Sequence, residues 1–162
     1  MAFVSFVKRN KTMTGSSAAN QRPFVEIPIT IRFGDTDPYG VVYFVSYFRF
    51  CHHGIEEFLR HHGLPPATMF RNQEEGFGLP IVGASCDFRR PVKYGEQILL
   101  RVSILRMGQK SLTFGFRFYR PGEEDILAEG QATMVAIGPD WLSRPLPDRL
   151  QAAVGPLLAA NP

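Results

Sequence analysis

Two aspartates, Asp35 and Asp37, lie two residues apart in the turn-forming segment 34–40, directly upstream of an apolar stretch. Pro38 fixes the backbone after Asp37, and Gly40 allows the chain to turn closely. A carboxylate held beside free N–H groups at the start of a helix stays ionised and can act as a nucleophile or general base. The same N–H groups can polarise a carbonyl. The segment therefore indicates either a site for attack on a carbonyl group or an ordinary Asx turn that caps a helix.

The spacing of apolar residues predicts the elements that position this segment. An alternating run over 24–33, rich in β-branched residues, predicts a strand. Apolar residues then recur every three or four positions, which predicts a helix from about Ser46 to His62 with Ser46 as its N-cap. Further elements are predicted as strands at 79–91, 97–107, 111–119 and 126–137, and as a short helix within 146–160, interrupted at Gly155-Pro156.

This order of elements predicts an α+β fold. The links between the four later strands have hairpin length, so we expect consecutive strands to be antiparallel. A single sheet with one long apolar helix must bury that helix against one face, which favours a curved sheet that wraps it. Unpaired sheet edges favour pairing with a second copy, so we expect a homodimer. We divide the chain into a disordered basic leader (1–22), the main domain (23–140) and a C-terminal extension with a short helix (141–162).

The charge distribution argues against a nucleic-acid partner. The formal net charge is +3, but the first 22 residues hold four basic side chains and no acid. The other 140 residues carry 14 basic and 15 acidic side chains, a net of −1. No apolar run is long enough for membrane insertion. Cys51 and Cys86 lack metal-ligand spacing and are expected to be reduced, which favours a cytoplasmic protein.

All four histidines fall on the predicted helix. His52 and His61 are nine residues apart, about 13 Å along a helix axis, which is too far for a single ion. We therefore expect no metal site.

A longer motif resembles a known family. The segment FGDTDPYGVVYFVSYFRF, followed by GLPP and then by GLPIVGASCDF, is similar to the hot-dog-fold thioesterases of the 4-hydroxybenzoyl-CoA thioesterase family. The resemblance runs from about Ile29 to Ile137 and rests mainly on the block D-x-D-x-x-G-x-V-[YFW]. It implies a long central helix wrapped by a curved antiparallel sheet of about five strands. It also implies an acyl-CoA thioesterase without a cofactor, because coenzyme A is part of the substrate.

Carried over by position, the resemblance assigns the catalytic roles. Asp37 becomes the catalytic carboxylate, which either attacks the thioester carbonyl or acts as base on a water molecule. The backbone N–H of Phe44 becomes the oxyanion donor, and Gly40 shapes the loop between them. Asp35 is expected to order that loop. A related branch carries histidine at the position of Phe44, so this chain fits the branch that uses the backbone N–H alone.

The resemblance also implies an acyl pocket, formed by Tyr43, Tyr47, Phe48, His52 and Leu79. In the hydroxybenzoyl enzyme, an aspartate and a threonine occupy the positions of His52 and Leu79. These differences argue against 4-hydroxybenzoyl-CoA itself and leave another aromatic group, such as benzoyl, or a short or medium acyl group. Phe77 and Phe88 are further candidates to line this apolar pocket. The aromatic side chains have core packing as their alternative role.

Coenzyme A carries phosphates that require cations at the rim of a site. Lys110 and Ser111 match a Lys-Ser pair of the family, and Arg106 and Arg90 are further candidates for CoA binding. Solvated surface charge is the alternative for each of them.

The resulting hypothesis is an acyl-CoA thioesterase that works as a homodimer, with a homotetramer favoured as the complete assembly. Two alternatives remain: a thioesterase for acyl chains bound to a carrier protein, and a non-catalytic acyl-thioester binding protein.

Overall fold

The computed structural model describes residues 22–159. Its helices and strands are β1 (Phe24–Thr30), α1 (Phe44–His61), α2 (Pro66–Phe70), β2 (Arg71–Asn72), β3 (Phe77–Gly78), β4 (Ile81–Phe88), β5 (Gln97–Met107), β6 (Ser111–Tyr119), β7 (Ala128–Val135) and α3 (Asp148–Ala159). The predicted bounds of β5 and β6 are confirmed, and β4 and β7 are shorter than predicted. The proposed leader falls outside the described residues except for Arg22, whose guanidinium donates to the carbonyl of Leu105 at 2.6 Å.

Five strands form one antiparallel sheet in the order β1-β5-β6-β7-β4. The expected antiparallel pairs β5–β6 and β6–β7 are confirmed, but the expectation that β4 pairs with β5 is wrong, because β4 pairs with β7. The connection over 89–96 does not form a hairpin. Instead, the carbonyl of Val92 accepts a hydrogen bond from the N–H of Val42. The guanidinium of Arg120 donates to the carboxylate of Glu96 and to the carbonyl of Pro91. The remaining edge of β5 is occupied by β1.

Helix α1 packs its apolar face against the sheet, and Gly54 lies in close contact with β5. A Cβ atom at Gly54 would lie 2.8 Å from Cδ2 of Leu100 and 2.9 Å from Cγ2 of Val102. Both of these β5 side chains are fully buried. The small residue therefore sets the distance between helix and sheet.

We predict that Gly54→Ala lowers the free energy of unfolding by about 1 kcal/mol. Alanine favours a helix by about 0.5–1 kcal/mol, but overpacking a buried contact costs about 1–3 kcal/mol. Urea denaturation measures the difference. His53→Ala, on the exposed side of α1, is the control and should leave the stability unchanged or slightly raised.

The start of α1 differs from the prediction. The helix begins at Phe44 with Tyr43 as its N-cap, so the predicted capping role of Ser46 is wrong. The N–H of Tyr43 donates to the carbonyl of Asp35 at 2.8 Å, which fixes Tyr43 in an extended conformation just before the helix. Ser46 consequently lies buried within the first turn.

Helix α3 belongs to the same hydrophobic core as the sheet. Leu146, which precedes it, and Leu150 and Val154 within it are buried in the common core. The predicted interruption at Gly155-Pro156 is wrong, because α3 continues through Pro156. A proline leaves the carbonyl four residues earlier without its helical donor. Here that residue is the exposed Ala152, so water can hydrate its carbonyl.

Candidate active site

The loop that carries Asp37 is closed by its own backbone. Asp37 donates its N–H to the carbonyl of Val41, and its carbonyl accepts from the N–H of Gly40, both at 2.9 Å. Its Oδ1 accepts from the N–H groups of Tyr39 at 2.9 Å and Val41 at 3.4 Å. Among residues 22–159, no donor reaches its other carboxylate oxygen. Gly40 has a φ of +74°, a left-handed conformation that favours glycine. The loop thus holds one carboxylate oxygen and leaves the other available.

The loop leads directly into the N-terminus of α1. Bridges join Thr36 to Val42 and Val41 to Lys93, which fix the entrance to the helix. The N–H of Phe44, the first residue of α1, has no acceptor within the helix. No other described residue accepts a hydrogen bond from it. This N–H is therefore available to an oxyanion, and the positive end of the helix dipole favours negative charge at that position.

Asp35 accepts hydrogen bonds through both its side chain and its backbone carbonyl. Its side chain is buried, pairs with Arg49 of α1 and accepts the N–H of Arg32 at 2.8 Å. The same residue accepts the N–H of Tyr43 through its carbonyl. Asp35 therefore orders the loop, and Asp37 is the aspartate with an available oxygen.

Tyr47 and its neighbours form an aromatic cluster behind the loop. Tyr47 is only 3% exposed and packs against Phe88 and Phe118 at centroid distances of 4.9 and 5.2 Å. The structure thus places this candidate pocket residue in the core. Phe48 is half-buried, whereas Tyr43 is exposed beside the start of α1.

The described tyrosine and cysteine side chains with shifted pKa values are poor alternatives to Asp37 at neutral pH. Burial raises the pKa of Tyr47 to about 12 and that of Cys86 to about 11. Burial also raises the pKa of the Cys51 thiol above its ordinary value. At neutral pH these groups remain protonated, so none of the three supplies an anionic nucleophile.

A cavity of about 670 Å³ opens next to α1 and contains two of the predicted acyl-pocket residues, His52 and Leu79. The His52 ring stacks on Phe70 at 5.1 Å, and its Nδ1 lies 3.3 Å from a carboxylate oxygen of Glu56. Further large apolar side chains that line it are Phe70, Phe77, Ile81, Met134, Ile137 and Trp141.

Of these further wall residues, sequence reasoning named Phe77 alone as a candidate for the pocket. They come from α2, β3, β4, β7 and the segment after β7, so no local motif connects them.

The loop that carries Asp37 and the cavity lie at opposite ends of β4 in the same chain. Ile81, at the start of β4, lines the cavity, whereas Phe88, at its end, packs on Tyr47 near the start of α1. Eight residues of strand span about 24 Å. Along α1, Phe44 and His52 are separated by about 12 Å. One chain therefore presents two separate groups of predicted site residues.

The predicted CoA-binding residues also fall into two separate groups. Lys110 and Ser111 lie at the turn between β5 and β6, and Nζ of Lys110 donates to Oγ of Ser143 at 3.3 Å. Arg106 is close by at the end of β5. Arg90 follows the far end of β4 and pairs with Asp125 at 2.9 Å. The structure brings the first three together and separates Arg90 from them.

The family model for the thioesterase-like superfamily matches residues 31–154, which include both groups of site residues. The chain belongs to this thioesterase superfamily. The predicted hot-dog fold is confirmed by the five-stranded sheet around α1 and by the similar solved thioesterases. No helix in the described part of this thioesterase is long and apolar enough to cross a membrane.

Individual relatives share most of the thioesterase's length. A 1,4-dihydroxy-2-naphthoyl-CoA hydrolase of Synechococcus sp. (strain WH7803) is 34% identical over 139 residues, which cover 82% of this chain and 90% of the relative. The solved 1,4-dihydroxy-2-naphthoyl-CoA thioesterase from Synechocystis superposes with a TM-score of 0.76 at 27% identity, over 82% of this chain and 96% of its own. A solved gentisyl-coenzyme A thioesterase superposes with a TM-score of 0.69 at 26% identity, over 80% and 98% of the two chains.

Proposed function

We propose that this thioesterase hydrolyses an aromatic acyl-CoA thioester, with a two-ring acyl group favoured, to the free acid and CoA. The observation that supports this reaction is the Asp37 carboxylate, which accepts hydrogen bonds through one oxygen at the entrance to α1. The names of the relatives support an aromatic acyl group. The cavity beside His52 has the volume and the aromatic wall that such a group requires.

The proposed chemistry uses groups that this chain supplies. The available oxygen of Asp37 attacks the thioester carbonyl carbon, and the C–S bond breaks to release CoA thiolate, which is then protonated. Water hydrolyses the resulting anhydride. Alternatively, Asp37 removes a proton from a water molecule that attacks the carbonyl directly. In both routes the Phe44 N–H stabilises the oxyanion. Water is the only co-reactant, so the reaction requires no cofactor.

We further propose that a second copy completes the site by pairing along β4. The sheet has two edges, β1 and β4. Pro28 lies in the middle of β1, and proline cannot donate to a strand ladder. The centre of β4 instead holds the small, exposed residues 83–85, flanked by exposed Val82 and Phe88. An exposed apolar edge of this kind is suited to pairing with another strand.

Antiparallel pairing of two β4 strands about their centres would bring the two groups of site residues together. The Phe88 end of one strand would lie beside the Ile81 end of its partner. Asp37 and the start of α1 would then face the partner's cavity. The same pairing would bring Arg90 toward the partner's Lys110, so cations from both chains would serve one CoA. This arrangement explains why one chain keeps its catalytic loop and its cavity apart.

Hydrolysis of a panel of thioesters tests the proposed function. We expect kcat/KM for 1,4-dihydroxy-2-naphthoyl-, gentisyl- or benzoyl-CoA to exceed that for hexanoyl-CoA at least tenfold, because a flexible chain loses more conformational entropy on binding. Thiol release followed with a chromogenic disulfide gives the rates. Hydrolysis of a benzoyl carrier protein without hydrolysis of benzoyl-CoA would favour the carrier-protein alternative. Binding without any turnover would favour the non-catalytic binder.

A further inference from the structure

The segment after β7 folds back as a tight hairpin, and Trp141 is the last residue of its loop. The N–H of Trp141 donates to the carbonyl of Gly138 at 3.0 Å, and the N–H of Gly138 donates to that of Leu142 at 2.9 Å. Residues 139–141 therefore form a three-residue loop, in which the third residue adopts a left-handed conformation. The φ of Trp141 is +63°, and it is the one non-glycine residue between 22 and 159 with a positive φ.

Glycine is the residue that this position ordinarily favours. A bulky side chain is sterically disfavoured there. The side chain of Trp141 is also 79% exposed, so burial in this chain contributes little to compensate. Neither the turn nor the core therefore accounts for tryptophan at this position.

The hairpin is nevertheless firmly attached to the rest of the fold. Oδ1 of Asp140 accepts the N–H of Leu142 at 3.1 Å. At its base, Ile137 pairs with Gly78 of β3 through two hydrogen bonds of 2.9 Å. Nearby, Arg144 donates to the carbonyl of Gly76 at 2.6 Å. These contacts hold the loop beside β2 and β3.

The indole lies at the wall of the cavity that contains the predicted acyl-pocket residues. Trp141 borders the same 670 Å³ as His52, Phe70 and Phe77. Its exposure places it at the mouth of the cavity, whereas Phe77 is buried. A planar ring that enters between these side chains would meet aromatic surfaces, and aromatic pairs stack favourably at centroid distances of about 4.5–7 Å.

We propose that Trp141 is a specificity-determining residue whose indole stacks on the aromatic acyl ring at the mouth of the cavity. This inference rests on the proposed function and assigns one residue to the choice of acyl group. The stacked ring gains contact with the indole on one full face. A flexible alkyl chain makes less contact and loses more conformational entropy. We attribute the presence of tryptophan in this unfavourable left-handed conformation to the contact of its side chain with the substrate.

Fluorescence reports on a ligand bound close to the indole, because Trp141 is the sole tryptophan of the chain. Wild-type protein is titrated with 1,4-dihydroxy-2-naphthoic acid, hexanoic acid and free CoA, with correction for ligand absorption. We expect saturable quenching of the indole emission by the aromatic acid and none by the other two. Quenching by free CoA without quenching by the acid would place the adenine at Trp141 and overturn the proposal. An absence of quenching by any ligand would also overturn it.

Substitution separates specificity from folding. Trp141→Gly suits the left-handed turn, so its Tm should equal or exceed that of the wild type. Its ratio of kcat/KM for an aromatic CoA thioester to that for hexanoyl-CoA should fall at least about fivefold. Leu142→Ala changes an exposed apolar neighbour outside the cavity wall and should keep the wild-type ratio.

The possible failures are distinguishable. If Trp141→Gly keeps the ratio while aromatic thioesters are hydrolysed, the role of Trp141 is wrong and the proposed function stands. If no thioester is hydrolysed, the proposed function fails, and quenching by the aromatic acid decides whether an aromatic ligand binds close to Trp141.

Discussion

Asp37→Asn should lower kcat/KM for the best aromatic CoA thioester by at least about 100-fold, the scale expected when a positioned catalytic carboxylate is removed. The asparagine amide oxygen can still accept the N–H groups of Tyr39 and Val41, which Asp37 binds through Oδ1. The loop should therefore keep its shape. The amide cannot attack the thioester carbonyl or take a proton from water, so both proposed routes are blocked.

Two comparisons make this result specific. Asp148→Asn makes the same chemical change at an exposed position in α3 and should retain the wild-type rate. Urea denaturation should give Asp37→Asn a free energy of unfolding close to that of the wild type, because its backbone hydrogen bonds are kept. Near-normal hydrolysis by Asp37→Asn would remove this residue from the mechanism.

Asp35→Asn is expected to act differently. Asp35 is buried and pairs with Arg49, so loss of its charge should mainly reduce stability. The Arg49 side chain is half exposed and stays hydrated, so the loss comes mainly from the weaker hydrogen bonds that the buried, uncharged amide makes to Arg49 and to the Arg32 N–H. Asp35 and Asp37 stand two residues apart in the motif, and their surroundings assign them different roles.

Local patterns predicted the elements that depend on neighbours in sequence. The bounds of β5 and β6 follow from alternating side chains on both sides of the tight turn at 108–110. The length of α1 follows from its helical spacing of apolar residues. Features set by distant contacts were missed. The pairing of β4 with β7 depends on how 89–96 is held by Val42 and Arg120.

In the candidate site too, residues close in sequence were predicted, and those brought together by distant contacts were mostly missed. Asp37, Gly40 and Phe44 belong to one continuous motif, so the resemblance proposed all three together, although the predicted helix start at Ser46 was wrong. The cavity is assembled from elements far apart in sequence, and only His52, Leu79 and Phe77 were assigned to it. Tyr47 carries no sequence signal that separates a pocket residue from a core residue. Its burial against Phe118, far along the chain on β6, places it in the core.

The central proposal is that Asp37 of one chain acts in the cavity of its partner, and mixing two inactive variants tests it. Asp37→Asn removes the carboxylate and leaves the cavity intact. His52→Trp puts a larger ring into the cavity, which His52 lines, and leaves Asp37 intact. His53→Trp, on the exposed side of the same helix, is the matched control and should remain active.

In a dimer that contains one chain of each variant, one site combines an intact Asp37 with an intact cavity, and the other site lacks both. Equal amounts of the two variants, unfolded and refolded together, produce mixed dimers as half of the population if they assort randomly. The mixture should then recover roughly a quarter of the wild-type activity. Each variant refolded alone should stay close to inactive.

The measurement is the rate of thiol release from the best aromatic CoA thioester by the refolded mixture. The composite site predicts recovery to about a quarter of the wild-type rate. If the mixture is no more active than the two variants refolded separately, each chain uses its own Asp37 with its own cavity, and the composite site is contradicted.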